Sequence, residues 1–252
     1  MVHRNRLEAY LNELLTPAEY PDYAPNGLQV EGREQIATVV SGVTASAALI
    51  EAARDLRADA VIVHHGYFWK GEDPRVVGMK ARRLRLLIEA GINLFAYHLP
   101  LDVHPKLGNN AGLARLLGLE TDGRHAAKGV PGLLWSGVLS EAERADAFAA
   151  RVEQALGRAP THVDGGTTTI YRVAWCSGGA DGLIDQAADL GVDAFLSGEL
   201  SEPTTHVARE RGIHYFAAGH HASERSGVQA LGAHLAEALG VEHHYVEIEN
   251  PA

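Results

Sequence analysis

Cysteine is almost absent: Cys176 is the only one in 252 residues, so no intrachain disulfide can form, and the chain suits a reducing compartment. No run of about eighteen apolar residues occurs, which leaves no segment that reads as a transmembrane helix. The first ten residues, MVHRNRLEAY, carry charges where a secretory signal needs an apolar core, and the protein is expected in the cytoplasm. An excess of positive charge is missing too. With 22 Lys and Arg against 32 Asp and Glu, the formal net charge is -10 and the pI is near 5.7. That balance opposes general attraction to nucleic acid or to an anionic membrane, so neither is expected as a partner. There is no low-complexity tract and no long Pro- or Ser-rich linker.

What is present is an internal repetition. Ser41–Gly66 (SGVTASAALIEAARDLRADAVIVHHG) runs from a strand-like end through a helical stretch into a short apolar strand, and Cys176–Glu199 (CSGGADGLIDQAADLGVDAFLSGE) does the same. Ser41-Gly42 answers Ser177-Gly178, and Asp59-Ala60 answers Asp193-Ala194. Each half continues into a second helix and strand, Arg82–Asp102 against Thr205–Glu224, with Gly91-Ile92 answering Gly212-Ile213 and Phe95-Ala96 answering Phe216-Ala217. Ala-rich helices can mimic part of such a pattern by chance. Strands alternating with helices at this spacing predict βαβ units, mainly parallel pairing and right-handed crossovers.

The expected fold class is therefore α/β: two similar α/β domains forming an internal pseudo-repeat, with a metal site in the cleft between them. Apolar residues make up 46% of the chain, ample for a core. The expected domains are residues 1–125 and 126–252, with the C-terminal elements free to pack back on the first. The polar, Gly-rich Thr121–Gly132 marks the expected boundary. Outside the repeat, the pattern predicts a helix over Arg4–Leu15, a Pro-rich loop over Pro17–Pro25, and an Asn26-Gly27 turn into a strand. Further on it predicts a strand over Leu133–Leu139, a helix near Glu141–Leu156, a terminal helix over Gly227–Leu239 and a last strand over His244–Ile248.

In parallel α/β sheets ligands gather beyond the carboxyl ends of the strands, and His64, His65, Asp102, His220 and Glu224 all fall there. Imidazole with carboxylate suits borderline divalent cations such as Zn, Mn, Fe or Co. Adjacent strand residues point to opposite faces, so His64 and His65 would diverge at the strand end to serve two neighbouring ions. His220 and Glu224, four apart, share one face if the segment is helical, and Glu224 could bridge two ions through its two oxygens. Asp102 would complete the set. Two dications against two carboxylates leave about two positive charges in excess, which favours an anionic or phosphorylated ligand. Paired ions about 3.5–4 Å apart suit hydrolysis.

Each residue has a plain reading on its own: the His-His pair as a turn or cap, Asp102 as a loop acid, Glu224 as a solvated helix residue. Their joint placement at equivalent strand ends points to metal. His98 and His221 adjoin proposed ligands, as orienting partners or as structural histidines. His98 and Glu199 are the candidate catalytic proton-transfer groups, although Glu199 also reads as a helix-start carboxylate. His104, His206 and the pair His243-His244 read as structural or exposed. Lys70 could meet an anionic substrate, and Tyr67, Phe68 and Trp69 read as packing residues before base-stacking ones.

At these residues a family likeness is visible. HHGYFWKG, YHLPLDVH, FLSGELSEPTTHVARERGIHYFAAGHHASERSG and the closing VEIENPA resemble the GTP cyclohydrolase 1 type 2 homologue family, the YbgI-like proteins related to the Ngg-one-interacting factor three group. The resemblance runs from about Leu7 to the last residue and is most specific in its final third. It implies two similar α/β domains, a ring-shaped homohexamer with dinuclear metal sites facing the interior, and family ligands on His64, His65, Asp102, His220 and Glu224. The expected function is that of a metal-dependent hydrolase with two divalent ions per chain, acting on a nucleotide or related small phosphorylated ring compound. The alternatives are a non-enzymatic metal-handling protein and a scaffold ring.

Overall fold

The structure, a computed structural model, describes all residues from Met1 to Ala252. The elements run β1 (Val2–His3), α1 (Arg4–Leu15), β2 (Gly27–Val30), β3 (Gln35–Ile36), β4 (Thr38–Thr44), α2 (Ala47–Asp55), β5 (Ala60–His65), α3 (Gly78–Ala90), β6 (Asn93–Ala96) and α4 (Leu99–Val103). Next come α5 (Asn109–Leu117), β7 (Glu120–Ala127), β8 (Val130–Glu143), α6 (Ala145–Leu156), β9 (Thr161–Val163), β10 (Ile170–Trp175) and α7 (Ile184–Asp189). The chain finishes with β11 (Ala194–Ser197), α8 (Glu202–Arg211), β12 (His214–Ala217), α9 (His220–Ser223), α10 (Arg225–Leu239) and β13 (Glu242–Tyr245). No helix is long and apolar enough to cross a membrane.

Two compact units form: Met1–Gly108 with Gly227–Glu249, and Asn109–Ser226 with Asn250–Ala252. The first carries a five-stranded sheet in the order β13-β4-β5-β6-β2, parallel except for β2. Its central strands are apolar on both faces, as burial from both sides requires. Alternate residues of β5 feed opposite layers: Ala60 and Ile62 pack with Leu7, Leu11, Leu231 and Leu235 of α1 and α10, and Val61 and Val63 with Leu49, Ile50, Leu84 and Leu87 of α2 and α3. Two helix starts, those of α1 and α2, are capped by side chains. His3 Nδ1 accepts the Asn5 N–H at 3.2 Å, and Ser46 Oγ accepts that of Leu49 at 3.2 Å.

The second unit holds a six-stranded sheet in the order β7-β8-β10-β11-β12-β9. Only β10, β11 and β12 are parallel, and the flanking pairings are antiparallel. Trp175, Phe148, Leu196 and Phe216 fill its core, and the Trp175 indole N–H donates to the Asn110 carbonyl at 2.9 Å.

Asp59 and Asp193, matched in the sequence, do the same work in their own units. Asp59 Oδ2 accepts the N–H groups of Ala37 and Thr38 at 2.8 and 3.1 Å, and Asp193 Oδ2 those of Tyr171 and Arg172 at 2.9 and 2.8 Å. Each carboxylate thus satisfies two backbone donors where the neighbouring parallel strand begins.

The expected division at residue 125 does not describe the compact units. Thr121–Gly132 lies largely in the β7–β8 hairpin, turned at Lys128 and Gly129, both of positive φ (48° and 78°). Its polar composition reflects an exposed edge strand rather than a linker. α5 belongs with the second unit because Leu113 and Leu117 enter that core. The last strand is β13, three residues shorter at its end than the predicted His244–Ile248 and beginning at Glu242, because its pairing with β4 sets its limits. His243 is thereby partnered, with Nε2 2.8 Å from Ser41 Oγ.

Candidate metal centre

His64 and His65 are the last residues of β5, where the ladder ends and side chains can converge on a ligand. His64 is fully buried, and its Nδ1 lies 3.1 Å from the Tyr97 carbonyl oxygen. A carbonyl only accepts, so Nδ1 carries the hydrogen; Nε2, which bears the lone pair whenever the ring is neutral, lies 3.5 Å from Asp102 Oδ2. His65 Nδ1 sits 3.2 Å from Thr44 Oγ1. Asp102, 5% exposed, lies on the short helix α4 that follows β6.

His98 begins that helix. Its peptide N–H donates to Asn26 Oδ1 at 2.7 Å, and its ring Nδ1 lies 2.9 Å from Asp22 Oδ1. Asp22 Oδ2 also accepts from the Leu99 N–H and the Asn26 amide, at 3.1 and 3.0 Å. Burial alone would raise the Asp22 carboxyl, but the hydrogen bond and charge of His98, with help from Asn26 and Leu99, bring it down to about 2. Asp22 is therefore ionised and accepts from His98 Nδ1–H. The ligand-capable atoms of His64, His65 and His98 all lie within 4.8 Å of one another.

In the second unit, β12 gives way through Ala218 and Gly219 to α9, and His220 and Glu224 share one side of that turn with Nε2 and Oε1 3.3 Å apart. Glu199, just past β11, places Oε1 2.6 Å from His220 Nδ1. Glu224 is 2% exposed, and Gly178, at φ +66°, lies against its Oε1 so closely that a Cβ there would collide. His220 is pushed up to about 9: the Glu224 hydrogen bond is the main cause, burial opposes it, and the Glu224 charge and Glu199 add to it. Below that pH the ring holds a proton at Nε2 between itself and Glu224, in the place where a cation would be welcome.

One arrangement recurs. His64, His65, His98 and His220 each have Nδ1 engaged by an oxygen of their own unit, which aims Nε2 to meet a metal ion or, at His98, a proton. Asp22, Asn26, Thr44 and Tyr97 were not singled out by the sequence, since they lie in a Pro-rich loop, a turn and two strand ends with no pattern of their own. His98 joins the donor group of the first unit, and Glu199 holds His220. His221 donates its peptide N–H to Ala252, His206 pairs with Glu202 four residues earlier, and Lys70 is exposed. Tyr67 packs, its hydroxyl donating to the Ala45 carbonyl at 2.7 Å, whereas Trp69 and Tyr23 set their rings edgewise near His98, at centroid distances of 5.0 and 5.1 Å.

Comparison with known proteins places the chain in a family. The family described as Duf34/NIF3 (NGG1p interacting factor 3) matches residues 2–251. A protein of Allochromatium vinosum named GTP cyclohydrolase 1 type 2 homolog is 57% identical over 96% of this chain and 95% of its own length. Its namesake in Escherichia coli (strain K12) is 51% identical over 98% of each chain. The solved structure of the protein ybgI, described as of unknown function, shares a TM-score of 0.96 and 50% identity over 100% of both chains. A solved structure from Thermus thermophilus shares a TM-score of 0.90 and 35% identity, again over 100% of both. With a family match that spans nearly every residue and relatives identical at more than half of the positions, this chain belongs to the Duf34/NIF3 family.

Proposed function

We propose that the protein is a metal-dependent hydrolase acting on a nucleotide or related phosphorylated ring compound, and that its two donor sets serve one dinuclear centre of Zn, Mn, Fe or Co ions. The observation that carries this reading is the fixing of Nδ1 in four histidines, three of them by the Tyr97 carbonyl and the carboxyl groups of Asp22 and Glu199. Structural histidines need no such uniform aim. In this reading His64, His65 and Asp102 would hold metal from the first unit and His220 and Glu224 from the second. Neither set suffices for two ions alone.

When bound, a pair of such ions acidifies water and polarises a phosphoryl or carbonyl oxygen. The chain's own groups then handle protons and orientation. His98, with its Nδ1–H fixed on Asp22, offers Nε2 to take up a proton. Glu199 holds the His220 Nδ1 proton and, being half-exposed, can pass it to solvent. The ring faces of Trp69 and Tyr23 beside His98 suit a flat substrate, and the relatives' name, GTP cyclohydrolase 1 type 2 homolog, agrees with a nucleotide.

The test is to strip the protein of metal, reconstitute it with each ion, and screen turnover on a panel of nucleotides and phosphoesters. Two ions per chain and turnover that depends on them are expected; metal-loaded protein inert on the whole panel would sink the hydrolase reading. The same preparation is expected to assemble as a homohexamer, giving by light scattering about six times the 27.0 kDa chain mass. A stable monomer would overturn that part.

A further inference from the structure

The amino-terminal edge of the first unit's sheet holds a second candidate site. A cleft of about 300 Å³ lies there, lined by Arg33, Arg54, Arg57, Leu86, Glu89 and Ile92 among others. These residues precede the strands or end the helices that lead into them, whereas His64 and His65 end β5, which spans six residues. At ~3.3 Å per residue the two edges are about 20 Å apart, so the cleft is separate from the histidines.

Three guanidinium groups meet here in a chain of net charge -10. Arg33 has only a long contact with Asp59, at 3.4 Å, and Arg54 turns to its neighbour Asp55, at 3.1 Å. Arg57 makes no side-chain hydrogen bond or ion pair.

The backbone of Arg57 is an independent sign. It follows α2 in the left-handed region, at φ 56°, and closes the helix with bonds from its own N–H to Arg54 O and from the Ala58 N–H to Ala53 O, both 2.9 Å. The other helices that lead straight into a parallel strand, α3, α7, α8 and α10, are closed by Gly91, Gly191, Gly212 and Gly240 at φ 65°, 68°, 68° and 65°. Glycine adopts this conformation without steric cost, and arginine does not. Strain retained at one corner of five, under an unpaired cation facing a cleft, points to work done by the side chain.

We propose that this cleft binds a phosphate monoester carrying a flat or apolar body, of mononucleotide size. Guanidinium forks match phosphate oxygens and bind them through charge-assisted hydrogen bonds. Leu86 and Ile92 supply an apolar floor for the body, and the Glu89 carboxylate an acceptor for its hydroxyl or ring N–H groups. The volume is at the lower end of the ~300–1,000 Å³ that small-molecule sites occupy.

The test uses the full chain freed of metal, so that the histidine cluster cannot capture phosphate, with adenosine monophosphate and inorganic phosphate as calorimetric probes. Saturable binding of adenosine monophosphate, tighter than that of phosphate, is expected. Arg57→Gly should weaken it by about 10-fold or more, the usual worth of a hydrogen bond to a charged group, while leaving the thermal midpoint unchanged or raising it. Glu224→Gln should bind the nucleotide as the unsubstituted chain does, whatever becomes of metal binding. Absence of saturable binding, equal affinity in Arg57→Gly, or a lower thermal midpoint in that variant would each overturn the site. Phosphate binding as tightly as the nucleotide would overturn the assigned body.

Discussion

Glu224→Gln is expected to lower divalent metal affinity by more than ~100-fold, beyond the ~10–100-fold that loss of an orienting partner costs, for which Glu199→Gln, at the Nδ1 of His220, is the matched control. Glu224 is a buried carboxylate on His220, so the substitution keeps shape and removes charge. It should also change a titration. In the metal-free chain His220 is held at about 9, chiefly by Glu224. Because the folded value lies above the ordinary 6.5, the interaction stabilises the fold fully below pH 6.5, and this contribution is lost as pH rises through about 9. The metal-free thermal midpoint should therefore fall between pH 6.5 and 9, and Glu224→Gln should flatten that fall. An ion must displace the same proton, so affinity should climb about tenfold per pH unit until about 9. Chelator competition and NMR titration of the His220 ring measure both. Unchanged affinity in the variant, or a His220 titration near the ordinary 6.5 in the parent chain, would remove Glu224 from the centre.

The second large effect concerns stability. Asp193→Ala strips the acceptor from two backbone N–H groups at the start of β10, and should cost about 2–4 kcal/mol, since each hydrogen bond to a charged group is worth ~1.5–3 kcal/mol and water repairs part of the loss. Asp59→Ala should cost a similar amount through Ala37 and Thr38. Asp185→Ala, which breaks only an exposed pair with Arg211, should stay within about 0.5 kcal/mol. Urea unfolding distinguishes them, and a loss below about 1 kcal/mol for Asp193→Ala would mean that the carboxylate does not hold the strand start.

Much of this was legible in the chain. The apolar runs Ala60–Val63 and Phe195–Leu196 are buried strands because no polar residue interrupts them, and Asp59 and Asp193 stand before them with matched duties. The four-residue spacing of His220 and Glu224 survives as a direct contact because a single turn carries both. Other features were misleading for equally physical reasons. The hairpin at Lys128-Gly129 resembled a linker, since an exposed edge strand has a linker's composition. Arg57 looked like any charged residue near a helix end, because a positive φ leaves no trace in a side chain's identity.

The sequence by itself determined the alternation of strands and helices, the strand-end placement of the histidines and the exclusion of disulfides, because each depends on composition or on neighbours within a few residues. Only the tertiary structure decided that Asp22 holds His98, 76 residues away, that Tyr97 holds His64 across 33, and that α10 and β13 close the first unit's core rather than the second's. Those contacts are selected by the packing of whole sheets, which brings oxygen and nitrogen atoms within hydrogen-bond distance regardless of their separation along the chain.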